Sequence, residues 1–217
     1  MDPAVLDFPA FADALWSLSD STGLRPEYVL PVFYRESGFS TSVTNSIGCV
    51  GLNQSCPFGC GVPDGYASWS ASQQVNGLIA GCFKAIIAKF GPIGSATRAY
   101  QANFLPATLG TARSLNSVLA TQGGAVYAEN SGLDKNKDGV ITVQDLADQM
   151  SLMLAKPAVQ NAIAQTYARR GGSPVSNPVY GSDFPWYTRL STGEKLGIAS
   201  AAVVVVSAGA VALRARA

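Results

Sequence analysis

Leu78, Ile79, Cys82, Phe83, Ile86, Ile87 and Phe90 recur every three to four residues, and Gly91-Pro92 then ends the series. That spacing lays them along one stripe of a helix, with a glycine and a proline where such helices stop. A stripe this apolar must be covered by other elements, so a core of packed helices is expected, with this helix buried at its centre. Weaker patterns flank it. Phe8, Phe11, Leu15 and Leu18 predict a first amphipathic helix, closed by the polar residues 19–23. Pro26 suits the first turn of a second helix, in which Val29, Val32, Phe33 and Glu36 share a face; Pro31 should bend that helix or delay its start. Further helices are expected near residues 94–102 and 105–118, around Leu146, Met150, Met153 and Leu154, and from Pro157 to the Arg169-Arg170-Gly171-Gly172 stretch. Residues 49–69 are rich in Gly, Pro, Ser and Cys and read as a structured loop. No internal repeat is visible, and the fold class expected is mainly α.

The chain has 217 residues, of which 47% are hydrophobic, enough for one core and an appendage. Only 13% are charged and the net charge is +1, so no nucleic-acid partner is expected. Histidine is absent, which excludes Ser-His-Asp and Cys-His catalysis and any His-ligated zinc. Carboxylates, hydroxyls, thiols or a bound ion must do any chemistry. Residues 1–24 contain no Lys or Arg, so no cleavable secretory signal is expected. Residues 196–213 are uncharged, with Lys195 on one side and Arg214 and Arg216 on the other. As a helix they would span about 27 Å, close to the thickness of a bilayer's hydrocarbon. They are read as a C-terminal transmembrane helix. Residues 173–190, rich in Pro, Ser, Gly and aromatics, lack a helical period and read as a linker. The expected organisation is a helical domain at 1–172, a linker at 173–190 and a membrane anchor at 191–217.

Glu36-Ser37-Gly38-Phe39 closes the second helix, and Asn45-Ser46-Ile47-Gly48-Cys49-Val50-Gly51-Leu52-Asn53-Gln54 follows. A glutamate at a helix end is ordinarily a solvated charge. In line with Val29, Val32 and Phe33, however, its carboxyl should be partly desolvated, which favours the protonated acid. One such acid in a half-dry groove suits cleavage of a glycosidic bond. Ala99-Tyr100-Gln101-Ala102-Asn103 lies downstream. Taken in order, the three segments resemble the motifs of soluble-lytic-transglycosylase-like proteins, which cut the glycan strands of peptidoglycan. The family forms read Glu-Ser-Gly-Phe, then Asn or Ser, Gly-Ala, Gly-Leu-Met-Gln, and later Ala-Tyr-Asn-Ala-Gly. This chain departs from them at Cys49, Asn53, Gln101 and Asn103.

The resemblance covers about residues 20–105. It implies a lysozyme-like helical domain with Glu36 as the catalytic acid. It also implies substrate contacts from Ser37, Asn45, Gln54, Tyr100 and Gln101, with Tyr100 lying against Glu36. The implied reaction uses Glu36 first as acid and then as base, leaving a 1,6-anhydro sugar. Hydrolytic glycosidases usually need two carboxylates. The sole other acid between Glu36 and Tyr100 is Asp64, in a Pro63-Asp64-Gly65 sequence that reads as a turn. A hydrolytic lysozyme using Asp64 is one alternative, and a glycan-binding or structural membrane protein on the same fold is another. A membrane anchor without a secretory signal suits a bacteriophage virion protein that opens the host wall. The expected partners are peptidoglycan glycan strands, a lipid membrane through residues 196–213, and virion proteins; the expected location is a virion membrane or the bacterial envelope.

Residues 134–145 follow the EF-hand calcium loop. The ligand positions fall on Asp134, Asn136, Asp138, the Val140 carbonyl, Thr142 and Asp145, with Gly139 at the sharp turn and Ile141 facing inward. Asp145 stands where the pattern has Glu, which shortens the reach of the last ligand. A structural calcium ion is expected; an Asx-rich turn is the alternative. Cys49, Cys56, Cys60 and Cys82 cluster in the same half of the chain as Glu36. Two disulfides that staple the 49–69 loop onto the central helix suit that clustering. Buried free thiols and a four-thiolate zinc site are the alternatives.

Overall fold

Helices dominate the described part of the chain, residues 7–57 and 59–184 of a computed structural model. Helix α1 (Phe8–Thr22) buries Phe11, Leu15 and Leu18 and ends at Gly23 in the left-handed region. Helix α2 (Pro26–Ser37) is the most deeply enclosed: residues 26–33 are all buried. It passes through Pro31 without ending. A proline inside a helix costs about 3 kcal/mol, whereas each of the several fully buried Val, Leu and Phe residues on α2 contributes about 1.5–3 kcal/mol. Burial wins, and the helix stays intact.

A capping box at Ser70 starts the short helix α3 (Ala71–Gln74), a π-helical turn follows at Val75–Ile79, and helix α4 (Ala80–Phe90) continues from it. The expectation that this stretch forms the central helix is corrected. Cys82 and Phe83 are buried, but Ile86, Ile87 and Phe90 are half-buried and Lys84, Ala85, Ala88 and Lys89 exposed. The apolar stripe does face the core, but the opposite face is open to solvent, so α4 covers the bundle from outside rather than standing at its centre. The centre of the fold is α2, which packs on helix α5 (Ala96–Phe104), helix α7 (Val143–Leu154) and helix α8 (Pro157–Arg170). Nor is there a helix over 105–118. A 3-10 turn at Pro106–Gly110 leads instead to strand β1 (Val118–Thr121), which pairs antiparallel with strand β2 (Val140–Thr142). The short helix α6 (Ala125–Asn130) lies between the strands. One main apolar cluster joins residues of α1, α2, α5, α7 and α8.

Part of the expected linker proves to be integral to the domain. Residues 173–184 run across the bundle as a strap. Fully buried Glu27 accepts hydrogen bonds from Arg25 Nε at 2.8 Å, the Tyr167 hydroxyl at 2.7 Å and the Val175 amide at 3.0 Å. Further on, the amides of Ala96 and Thr97 donate to the carbonyls of Pro178 and Val179. Asp183 Oδ2 accepts from the Gly94 amide and the Ser95 hydroxyl, each at 2.8 Å. Phe184 is buried. The strap passes so close to Gly94 that Gly181, at φ 49°, has no room for a Cβ. A side-chain period cannot register a segment held by main-chain bonds and carboxylates. No helix among the described residues is long and apolar enough to cross a membrane. The run at 196–213, and the anchor assigned to 191–217, lie outside the described residues.

Candidate active site

Glu36 occupies the last turn of α2, where the chain reverses. Gly38 (φ 60°) and Phe39 (φ 68°) both adopt left-handed backbone. For a phenylalanine this costs of order 1–3 kcal/mol. Burial of its ring against Tyr34 offsets that cost. The reversal leaves the Glu36 side chain half-buried. Burial raises its pKa from 4.5 to about 7; the Arg35 charge and the nearby Tyr100 hydroxyl act the other way. Tyr100, buried on α5, has its own pKa raised by burial and by the adjacent Glu36. The acid is therefore poised between protonation states near neutral pH, as a group that must give and then take a proton requires.

The loop after Phe39 folds back as a small bridged turn, with Thr44 paired to Val50 and Val50 to Ser55. Two disulfides fix it: Cys49–Cys56 closes the turn on itself, and Cys60–Cys82 ties its far side to α4. The cysteine alternatives of free thiols and zinc ligation are thereby set aside. Ser37 Oγ lies 3.0 Å from both the Phe33 and the Leu52 carbonyl oxygens, joining α2 to the loop. Asn45 Oδ1 accepts the amides of Ile47 and Cys49, and Gln54 Nε2 donates to the carbonyls of Val43 and Gly51. Both side chains hold the loop's own main chain. Gln101 sits elsewhere. It is fully buried and bonds to Arg98, Thr108 and the Ala112 carbonyl, on the side of α5 that faces the 106–112 turn. Among the residues read as a site, Glu36, Ser37 and Tyr100 are brought together; Asn45 and Gln54 brace the loop, and Gln101 braces α5.

Sequence reasoning missed Gln74. Its buried amide accepts the Leu52 N–H at 3.0 Å and donates to the carbonyls of Thr41 at 2.8 Å and Tyr66 at 3.2 Å. It also explains Gly51. A Cβ there would lie 2.5 Å from Gln74 Oε1 and 2.9 Å from a Tyr66 ring carbon, at a φ of 84°. The reciprocal pair Asn53 and Asn103 was visible only as two departures from the family motifs. Asp64 is exposed, in the turn before Tyr66.

The 134–145 loop has the backbone of a cation-binding turn. Asp134 Oδ1 accepts the Asp138 amide and Oδ2 the Gly139 amide at 3.0 Å, while Asn136 and Asp138 join side chain to side chain at 2.8 Å. Gly139 turns at φ 85°, Ile141 is fully buried in β2, and Thr142 and Asp145 form the capping box that starts α7. The Tyr127 hydroxyl donates to Asp134 Oδ2 at 2.6 Å. Among the described residues no three Asp, Glu, Cys or His side chains form a metal centre by themselves. An EF-type loop does not need them to, because it draws on amide, hydroxyl and main-chain oxygens as well. The donor set Asp134, Asn136, Asp138, Val140 carbonyl, Thr142 and Asp145 is all oxygen, which fits a hard cation. A cleft of about 480 Å³ opens beside it, between Tyr127, Lys135 and Lys137. It does not include Glu36, whose setting is marked by desolvation. No family of proteins, no curated protein and no solved structure matches this chain.

Proposed function

We propose that this protein is a peptidoglycan lytic transglycosylase on a lysozyme-like helical domain. The observation that carries the reading is the lone half-buried carboxyl of Glu36, raised to about 7 with the Tyr100 hydroxyl nearby and with no second carboxylate among the groups that move it. Glu36 in its protonated form donates to the glycosidic oxygen as the bond to C1 of N-acetylmuramic acid breaks, and the N-acetylglucosamine side leaves with that proton. The sugar's own 2-acetamido group stabilises the cation. Ionised Glu36 then takes the proton from the C6 hydroxyl while its oxygen closes on C1. The acid is regenerated, the product is a 1,6-anhydro sugar, and no water is consumed. The Tyr100 hydroxyl stabilises the carboxylate between the two steps.

A calcium ion held by Asp134, Asn136, Asp138, Val140, Thr142 and Asp145 belongs to the same proposal, as a structural ion that neutralises the carboxylates ahead of α7. So does anchoring in a lipid membrane through residues 196–213, in a virion or in the bacterial envelope; partition into the aqueous phase without detergent counts against the anchor. The catalytic reading is tested by mass spectrometry of peptidoglycan digested with the full chain. Muropeptides lighter by one water than hydrolysed ones, and lost in Glu36→Gln, are expected. Reducing ends would show lysozyme chemistry instead, and binding without cleavage a glycan-binding protein.

A further inference from the structure

The main chain at Leu52 and Asn53 is gripped from three elements. Gln74 in α3 accepts the Leu52 amide, and Ser37 in α2 reaches the Leu52 carbonyl. Asn103 in α5 donates from Nδ2 to the Asn53 carbonyl at 3.0 Å and accepts at Oδ1 from Asn53 Nδ2 at 3.1 Å. Ser55 Oγ, donating at 2.8 Å to Asn53 Oδ1, fixes the orientation of that buried amide. Asn103 lies one helical turn beyond Tyr100, and Glu36 is the neighbour of Ser37. The contacts therefore form a circuit from Ser37 to Leu52, along the main chain to Asn53, across to Asn103 and back along α5 to Tyr100, whose hydroxyl lies near Glu36 where α5 packs on α2. Only the asparagine pair bridges the loop to α5 in that circuit, and both asparagines stand where the resembled motifs have another residue.

We propose that Asn103 is a positioning residue for Glu36, acting through Asn53 to hold the loop against α5. The proposal rests on the reading of Glu36 as the acid. Opened at Asn103, the circuit leaves the loop attached to α2 and α3 but free to swing away from α5. Water then reaches Glu36, while α2 and α5 still pack on each other and keep Tyr100 beside the acid. The charged and titratable groups that bear on Glu36 are Arg35 on its own helix and Tyr100 on α5, and neither is altered by a change at position 103.

The test compares the full chain with Asn103→Ala and Asn53→Ala. The first variant removes both cross-links. The second leaves Asn103 on the main-chain carbonyl of residue 53, so its effects should be smaller and in the same direction. Two properties are read: the Glu36 carboxyl titration by carbon NMR, assigned with Glu36→Gln, and kcat and KM on glycan strands. In Asn103→Ala the titration midpoint should fall by about one pH unit toward the ordinary carboxyl range. An acid more ionised at neutral pH should lower kcat about five- to tenfold, with KM changed less than about threefold. A folded Asn103→Ala protein with an unchanged Glu36 midpoint overturns the proposal, whether or not its melting temperature drops. Should Asn103→Ala fail to fold, an unchanged midpoint in Asn53→Ala overturns it equally. If the unaltered chain cleaves no glycan, the catalytic reading falls, while the titrations still decide whether Asn103 controls the surroundings of Glu36.

Discussion

Replacing Glu36 by Gln should stabilise the protein at high pH and leave it unchanged at low pH. The folded-state pKa of Glu36 is raised from 4.5 to about 7 by burial, so the folded protein binds this proton more tightly than the unfolded chain does. Stability from this group is full below about 4.5 and declines as pH climbs to about 7; above that the folded state carries an ionised carboxylate in a poor solvent. At about 1.36 kcal/mol per pH unit, the rise corresponds to a ceiling of roughly 3 kcal/mol. The side chain is only half-buried, and screening by water lowers the expected value to about 1–3 kcal/mol. Glutamine keeps the shape and removes the charge. For a domain of this size the gain is worth about 3–10 °C in Tm at pH 8. The assay is calorimetry of both proteins at pH 4, 6 and 8; every other carboxylate titrates alike in the two and cancels in the difference. A Tm difference that stays constant across those pH values would refute the reasoning, because it would mean that Glu36 titrates as an ordinary exposed acid.

Tyr100→Phe removes a hydroxyl that favours the Glu36 carboxylate, so the high-pH limb of kcat/KM should move to higher pH and kcat should fall about 10- to 100-fold; an unmoved limb argues against that influence. Gly51→Ala should cost about 2–4 kcal/mol, combining a left-handed alanine with a displaced Gln74 amide, and a denaturant melt within about 0.5 kcal/mol of the parent would show that the loop is not held as described. Chelation of calcium should lower Tm by about 5 °C or more from the saturated protein. Asp134→Ala should abolish that response, and a chelator-insensitive melt would remove the ion from the proposal.

Apolar spacing was sufficient to place α1, α2 and α7, each with a buried face, while Pro157 and Gly171 marked the ends of α8. It misjudged α4, whose stripe faces the core from the outside of the bundle rather than from its centre, and failed over 105–118, where Pro106 and Gly110 allow only a 3-10 turn. It also took 173–184 for a spacer, since that strap is held by main-chain bonds and by Asp183 rather than by a repeating apolar pattern. At the site, the Glu36 and Tyr100 segments were readable as motifs, and the packing of α2 on α5 brings the two side chains near each other. The bracing around them was not readable. Gln74, Asn53 and Asn103 act through amides that meet main-chain atoms distant in sequence, and no periodicity encodes which amide finds which carbonyl. Gln54 and Gln101, single polar residues inside motifs, were likewise assigned to the substrate when their amides belong to the scaffold.

The strap also determines how the domain would bear a mechanical load. The described chain leaves at Phe184, directly after the Asp183 contacts with Gly94 and Ser95 at the head of α5. Tension on later residues therefore enters at the helix that carries Tyr100, not at the far side of the bundle. Its first bonds to bear that load are those of Asp183, then Ser182 to Gly94, then Val179 and Pro178 to Thr97 and Ala96. Arranged in that order they peel one after another rather than shearing together. A short length of strap can thus pay out under tension as a shock absorber before the force reaches Glu27 and the buried helices beneath it.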